Sequence, residues 1–205
     1  MMGQMKQVVL TDCDGVLLNW DGPFDEWLVQ RRGFKAPSSF GSASGSRPSQ
    51  QSGRVLSNYH LSDKEIDELV FSFNDTANVG FLPPFRDAAH VVKKLHAEHG
   101  FVFRVITNIG TNHYSKMLRE KNLRSVFGSA IDTVTCLPIR SDKRDALEQY
   151  KDTGLVWVED NVKHATLGLH LGLKSILMDH GKHAGMSVMI PVAKNWQQIA
   201  SVLVD

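Results

Sequence analysis

Val8-Val9-Leu10-Thr11-Asp12-Cys13-Asp14-Gly15-Val16-Leu17 is an apolar run that ends in two carboxylates two residues apart, followed by a glycine. The run is short, β-branched and unpunctuated, the pattern of a buried strand. Asp12 then stands at the strand's carboxyl end, where ligands bind in open α/β sheets. Alternate side chains share a face in extended backbone. Asp12 and Asp14 are therefore expected on one side, with Cys13 turned away as a small buried residue. Gly15 lets the chain turn sharply. Two carboxylates this close repel each other and need a cation or a shared proton. Mg²⁺, which prefers oxygen ligands, meets that need. The chemistry that fits is a carboxylate attacking phosphorus while the second carboxylate handles the proton. Read alone, the same residues also suit a turn in which Asp-Gly merely ends a strand.

The length of 205 residues suits one α/β domain with a small insertion. A net charge of +1 gives no global pull toward nucleic acid or an anionic membrane surface. No apolar run approaches the roughly 18 residues of a membrane helix. Met1 to Gln7 is polar and leads straight into the strand, so no secretory signal is expected. Cys13 and Cys136 form no metal or disulfide spacing, and a reduced, cytoplasmic setting is the expectation.

After Leu18 the pattern becomes helical. Asp21-Gly22-Pro23 opens a helix with Phe24, Trp27 and Leu28 on one face and Gly33 as its stop. Residues 37–54 are rich in Ser, Gly and Gln, the composition of a flexible loop, either a binding lid or a spacer. Arg47 and Arg54 flank it. Ser62-Asp63-Lys64-Glu65 is a capping box, and Ile66, Leu69, Val70 and Phe73 follow as an apolar stripe. Beyond Leu82-Pro83-Pro84, strands and helices alternate. Helices are expected over 85–96, 114–121, 143–150, 162–171 and 196–204, and strands over 101–106, 131–135, 155–158 and 175–178. That alternation argues for a parallel sheet with helices on both faces. The domain reading is a core of residues 1–18 and 79–205, with 19–78 as a small helical insertion after strand 1.

Three later positions could carry chemistry. Thr107 follows an apolar strand, which puts a hydroxyl at the sheet's carboxyl edge, although strand-end threonines are commonly structural. Lys143 opens a helix whose N-terminus is already positive, a conflict that a nearby anion would remove; a solvated surface lysine is the bland alternative. Glu159 and Asp160 end a buried strand, where acids are costly unless paired or bound to metal.

Asp12-Cys13-Asp14-Gly15-Val16-Leu17 resembles the first motif of the haloacid dehalogenase (HAD) superfamily. Most of its members are Mg²⁺-dependent phosphatases that work through an aspartyl-phosphate. The resemblance implies a HAD-like Rossmannoid core with Asp12 as nucleophile and Asp14 as acid and base. Thr107 matches the second motif and would donate to the phosphoryl oxygens, with Asn108 and the backbone of Ile109 and Gly110 as further substrate-binding donors. Lys143 matches the third motif, with Arg144 as the rival. Asp160 matches the fourth and would bind Mg²⁺ with Asp12 and the Asp14 carbonyl. Glu159 departs from the commoner Asp or Gly, so its role stays open between outer metal contact and Lys143 partner. The inserted helices resemble a family cap that covers the site and selects substrate. Asp14 matters within the family, because dehalogenase members lack an acid there and transporter ATPases carry Thr.

The implied function is phosphomonoester hydrolysis of a small phosphorylated metabolite. Asp-Gly-Val-Leu and the small helical insert resemble the 5'-nucleotidase and deoxyribonucleotidase branches, so a nucleoside monophosphate is one expectation. Phe24, Trp27 and Phe40 are the aromatic candidates for stacking a base, against a packing role. Alternatives are a nucleic-acid 3'-phosphatase, which the near-neutral charge weakens, a phosphotransferase, and a catalytically silent binding protein. His164, His170, His180 and His183 lack the spacing of a transition-metal site and read as solvated or locally hydrogen-bonded.

Overall fold

The computed structural model describes residues 7–35, 56, 59–179 and 189–204. The Ser/Gly-rich stretch 37–54, with Phe40, Arg47 and Arg54, lies outside the described residues, as do His180 and His183.

Six strands form one parallel sheet: β1 (Gln7–Thr11), β2 (Phe101–Asn108), β3 (Ile131–Leu137), β4 (Val156–Glu159), β5 (Lys174–Met178) and β6 (Val192–Ala193). Their order is β3-β2-β1-β4-β5-β6, which puts β1 at the centre. Parallel neighbours need crossovers, and seven α-helices are described: α1 (Asp21–Arg32), α2 (Asp63–Asn74), α3 (Ala88–His99), α4 (His113–Phe127), α5 (Arg144–Glu148), α6 (Val162–His170) and α7 (Trp196–Val204).

Both faces of the sheet are buried, and the side chains divide by the strand period. Val9, Phe103, Val105 and Val158 pack with Leu95 of α3, Leu118 and Leu123 of α4, and Trp196 and Ile199 of α7. Leu10, Ile106 and Trp157 pack on the opposite face with Leu147 of α5 and Leu167 of α6. The expected α/β architecture, with a parallel sheet between helices, is therefore present.

Local boundaries differ where tertiary context decides. The helix expected from Phe85 begins at Ala88, because the Phe85 N–H bonds the Leu17 carbonyl and Arg86 takes a positive φ of 46°. The helix expected to end at Lys121 runs on to Phe127, and its buried face includes Arg119 and Asn122, which break the apolar stripe. The helix expected from Lys143 is a short α5 with Lys143 at its N-cap. The two-residue β6 carries too little pattern to be expected at all.

The insertion between β1 and β2 has its own packing. Trp20 stacks on Phe24 at 4.4 Å between ring centroids, and Phe73 of α2 meets Trp20, Phe24 and Trp27 edge-on at 5.3, 5.4 and 5.7 Å. Such pairs add about 0.5–1.5 kcal/mol each beyond their burial. The buried Asn74 accepts from Trp20 Nε1 at 2.9 Å and donates to the Ile109 carbonyl at 3.2 Å. Ser115 Oγ of α4 donates to the Asn74 carbonyl at 2.8 Å. The end of α2 is thus pinned to the loop after β2 and to α4.

On the other side, α6 approaches β4 and β5 closely. A Cβ at Gly168 would lie 2.4 Å from Trp157 Cδ1 and 2.6 Å from Ser175 Oγ. We expect Gly168→Ala to destabilise the fold by about 1–3 kcal/mol, as overpacking does. Urea unfolding should show a lower midpoint with an unchanged slope.

Candidate active site

β1 ends at Thr11, but the Asp12 N–H still bonds the Val158 carbonyl at 2.9 Å, which fixes Asp12 beside the end of β4. The chain then folds into a tight turn. Leu17 and Leu18 N–H both bond the Cys13 carbonyl, at 2.8 and 2.9 Å, and Gly15 has a φ of 75° that a side chain would strain. Val16, Leu17 and Leu18 anchor the turn by burying completely. The extended backbone stops at Thr11, yet Asp12 and Asp14 still open on one cavity and Cys13 is buried away from it, as expected. Cys13 Sγ and both Asp14 carboxylate oxygens meet the same guanidinium, that of Arg119 on α4. Burial also pushes the Cys13 thiol up, opposed by Arg119, so it is not a ready thiolate.

A cavity of about 200 Å³ opens at the carboxyl edge, and Asp12, Asp14, Thr107, Asn108, Lys143, Glu159, Asp160 and His164 are among its walls. Lys143 Nζ lies 2.8 Å from both Asp12 Oδ1 and Glu159 Oε2. It is 1% exposed and 5.3 Å from the Trp157 ring centroid. Burial alone would lower its pKa, but Asp12 and Glu159 outweigh burial and hold the ammonium above the ordinary lysine value. Arg144, the rival from the sequence, does not line the cavity.

Glu159 is as buried as Lys143. Its Oε2 accepts from Lys143, and its Oε1 accepts the N–H groups of Asp160 and Asn161 at 3.2 and 3.1 Å. In this arrangement Glu159 is the partner of Lys143 and also satisfies backbone donors at the start of α6.

Thr107 Oγ1 is buried in the cavity wall without a hydrogen-bond partner among the described residues. A buried hydroxyl in this state costs free energy unless something enters to bond it. The donors expected next to it are engaged elsewhere, which corrects that part of the sequence reading. Asn108 lines the cavity, but its amide nitrogen donates to the Pro138 carbonyl at 2.7 Å and to Ser141 Oγ at 2.9 Å. The Ile109 and Gly110 N–H groups both go to the Leu137 carbonyl, at 3.1 and 3.0 Å. The cause is the β2–β3 ladder, which runs to Asn108 and Leu137 and carries its hydrogen bonding past the strand end.

Asp12, Glu159 and Asp160 each offer a carboxylate oxygen, all within 4.8 Å of one another. One lysine does not balance three carboxylates. Burial and the Asp12 charge push Asp160 up to about 7, so the cluster retains a proton where a cation would serve. An oxygen-only, electron-rich set of this kind fits Mg²⁺.

Reading the sequence missed three members of the site. Asp21 and His164 line the cavity. His164 Nδ1 is 3.9 Å from Glu159 Oε2, and burial, with Lys143 next, keeps its pKa below the ordinary histidine value. Arg119 is the third. Its signal was a charged residue at a position where the α4 stripe of Ser115, Leu118, Asn122 and Leu123 turns inward.

No family model matches the chain. It is 24% identical over 176 residues to an uncharacterized 32.4 kDa protein of Enterobacteria phage T4. That match covers 78% of this chain and spans only 56% of the relative's length. Among solved structures, it superposes on a haloacid dehalogenase-like hydrolase of Streptococcus pneumoniae with a TM-score of 0.59, at 12% identity over 96% of this chain and 98% of that one. It superposes on the D,D-heptose 1,7-bisphosphate phosphatase of Burkholderia thailandensis with a TM-score of 0.54, at 13% identity over 98% and 100%. An L-2-haloacid dehalogenase gives 0.56, at 13% identity over 98% and 100%. The chain has the fold of the HAD-like hydrolases. Among the described residues no helix is long and apolar enough to cross a membrane.

The raised Asp160 carboxyl sets a sign for metal binding. Below about pH 7 a proton must leave before the cation enters, so Mg²⁺ affinity should fall about tenfold per pH unit there and level off above. Calorimetric titration at pH 5.5, 6.5 and 8 in buffers of different ionisation heat should show proton release only at the lower values. Without metal the sign for folding is opposite: the retained proton stabilises at low pH, and that contribution is lost as pH rises through about 7.

Proposed function

We propose that the chain is a Mg²⁺-dependent phosphomonoesterase that works through an aspartyl-phosphate on a small phosphorylated metabolite. The observation that carries this reading is Asp12, ion-paired to the buried Lys143, beside a Thr107 hydroxyl with no partner among the described residues. Fold alone does not choose the chemistry, since a dehalogenase and a phosphatase superpose equally well. Asp14 favours the phosphatase, because a second carboxylate is of use where an alcohol must be protonated and water activated.

In this reading an Asp12 carboxylate oxygen attacks phosphorus as the bond to the leaving oxygen breaks. Asp14 gives that oxygen a proton. It then takes a proton from the water that hydrolyses the acyl-phosphate, which regenerates Asp12. The Lys143 ammonium and the Thr107 hydroxyl donate to the phosphoryl oxygens. Glu159 keeps Lys143 aimed, and helices α1 and α2 act as a cap, with Asp21 on the cavity wall. Asp12, Asp160 and the Asp14 carbonyl would hold Mg²⁺, which would supply positive charge to offset the developing negative charge.

The cavity suits a phosphoryl group and the first atoms beyond it. Phe24 and Trp27 are buried in the aromatic cluster and are not exposed to stack a base. This supports a small phosphate ester broadly and gives a nucleoside monophosphate no special standing.

The test is phosphate release from nucleoside monophosphates, sugar phosphates and an aryl phosphate, with and without Mg²⁺, beside Asp12→Asn. Mg²⁺-dependent release should fall about 10³-fold or more in the variant. Release that persists in Asp12→Asn would sink the assignment. Transfer to an added alcohol instead of water would identify a phosphotransferase. Binding of Mg²⁺ and phosphate esters with no turnover would identify a silent binding protein.

A further inference from the structure

Arg119 is fully buried on the inward face of α4, a position where leucine or methionine would complete the apolar stripe. A buried guanidinium is costly unless paired, and an apolar side chain of similar size commonly stabilises a fold as well or better. Its retention therefore points to geometry. Its Nη1 donates to Asp14 Oδ1 and, at 2.9 Å, to Cys13 Sγ. Its Nη2 donates to Asp14 Oδ2 at 3.1 Å. This is the two-pronged grip that a planar guanidinium, and not an ammonium, gives a carboxylate. The other side of the Asp14 carboxylate is open: its side chain is 26% exposed and lines the cavity.

We infer that Arg119 is the positioning residue for Asp14, fixing the rotation of its carboxylate so that it can pass a proton to and from the cavity. This rests on the reading of Asp12 as nucleophile and Asp14 as acid and base. Arg119 touches no substrate. Without the fork, Asp14 would be free to rotate about its side-chain bonds, and proton transfer would lose its alignment. The consequence falls only on steps that move a proton. An alkyl phosphate needs its leaving oxygen protonated as the P–O bond breaks. An aryl phosphate expels a stable phenolate and does not. Hydrolysis of the aspartyl-phosphate needs a proton taken from water whichever substrate formed it.

The experiment compares Arg119→Met, Arg119→Lys and Asp14→Asn with wild type on glycerol phosphate and 4-nitrophenyl phosphate, with Mg²⁺, in single-turnover and burst formats. For Arg119→Met, alkyl cleavage should slow about 10²-fold while the first turnover of the aryl ester stays within about threefold. Steady-state aryl turnover should also slow, leaving a burst of one equivalent of nitrophenol. Arg119→Lys keeps the charge and loses the fork, so it should fold as wild type and show the same split at about tenfold. Adding Arg119→Met to Asp14→Asn should cost nothing further, because Arg119 acts only through that carboxylate. Equal losses in the first turnover of both esters in Arg119→Lys would show a merely structural arginine and overturn the inference. Unchanged or faster alkyl cleavage would also overturn it, since the fork would then be holding Asp14 aside. Release that survives Asp12→Asn would mark failure of the underlying chemistry and not of the Arg119 assignment.

Discussion

The buried ammonium of Lys143, 2.8 Å from Asp12 on one side and from Glu159 on the other, is the constraint on which the site depends. Taking a lysine and two carboxylates out of water costs several kcal/mol per ion. The arrangement survives because the opposite charges sit against one another. Lys143 has two carboxylates, and Glu159 has Lys143 and two backbone N–H groups. Removing Lys143 would leave two carboxylates facing each other with no cation between them. The remaining excess of negative charge is left to Asp12 and Asp160, where a cation or a proton can meet it.

The fold supplies that geometry through register. β1 pairs with β4 so that Thr11 faces Val158, and Asp12 and Glu159 are the next residues on each strand. Lys143 reaches the pair from the loop after β3 because α5 begins only at Arg144. Trp157, one residue before Val158, lies under the ammonium and against the Cβ-free surface of α6 at Gly168. The turn that leads from β4 into α6 brings the Asp160 and Asn161 N–H groups to Glu159. Stability and site geometry are therefore carried by one set of contacts on this face.

The elements whose identity lies in local pattern were legible in the sequence. β1, the capping box of Ser62 and Glu65, and the stop at Gly33 each obey a rule that spans a few residues. So did the order in which Asp12, Thr107, Lys143 and Asp160 fall at or beyond the carboxyl ends of strands, because a parallel sheet converts that order into one edge. What was not legible depended on partners distant in the chain. Asn108 and Gly110 lost their donors to the β3 side through a ladder that extends two residues beyond the expected strand. That Cys13 shares a guanidinium with Asp14 was not legible either, because the backbone turns after Thr11 and the partner lies on α4. Phe24 and Trp27 were open to a stacking role by local pattern, but Phe73 of α2 closes a buried aromatic cluster around them. Arg119 is 105 residues from Asp14, and no local rule connects them.

Two buried cations flank the Asp12–Asp14 turn, and each holds a different carboxylate. Lys143 binds Asp12 with a rounded ammonium that can share its three donors among carboxylates and an incoming phosphoryl group. Arg119 binds Asp14 with a flat fork that fixes orientation and has no reach into the cavity. The division matches what the proposed mechanism asks of each carboxylate. A nucleophile must be freed toward phosphorus as negative charge builds beside it, and a mobile donor can follow that charge. A proton carrier must return to the same place in two successive steps, and a rigid partner holds it there. Exchanging the two cations would keep the net charge of the site and lose both properties, because reach and rigidity belong to the shapes of the two side chains and not to their charge.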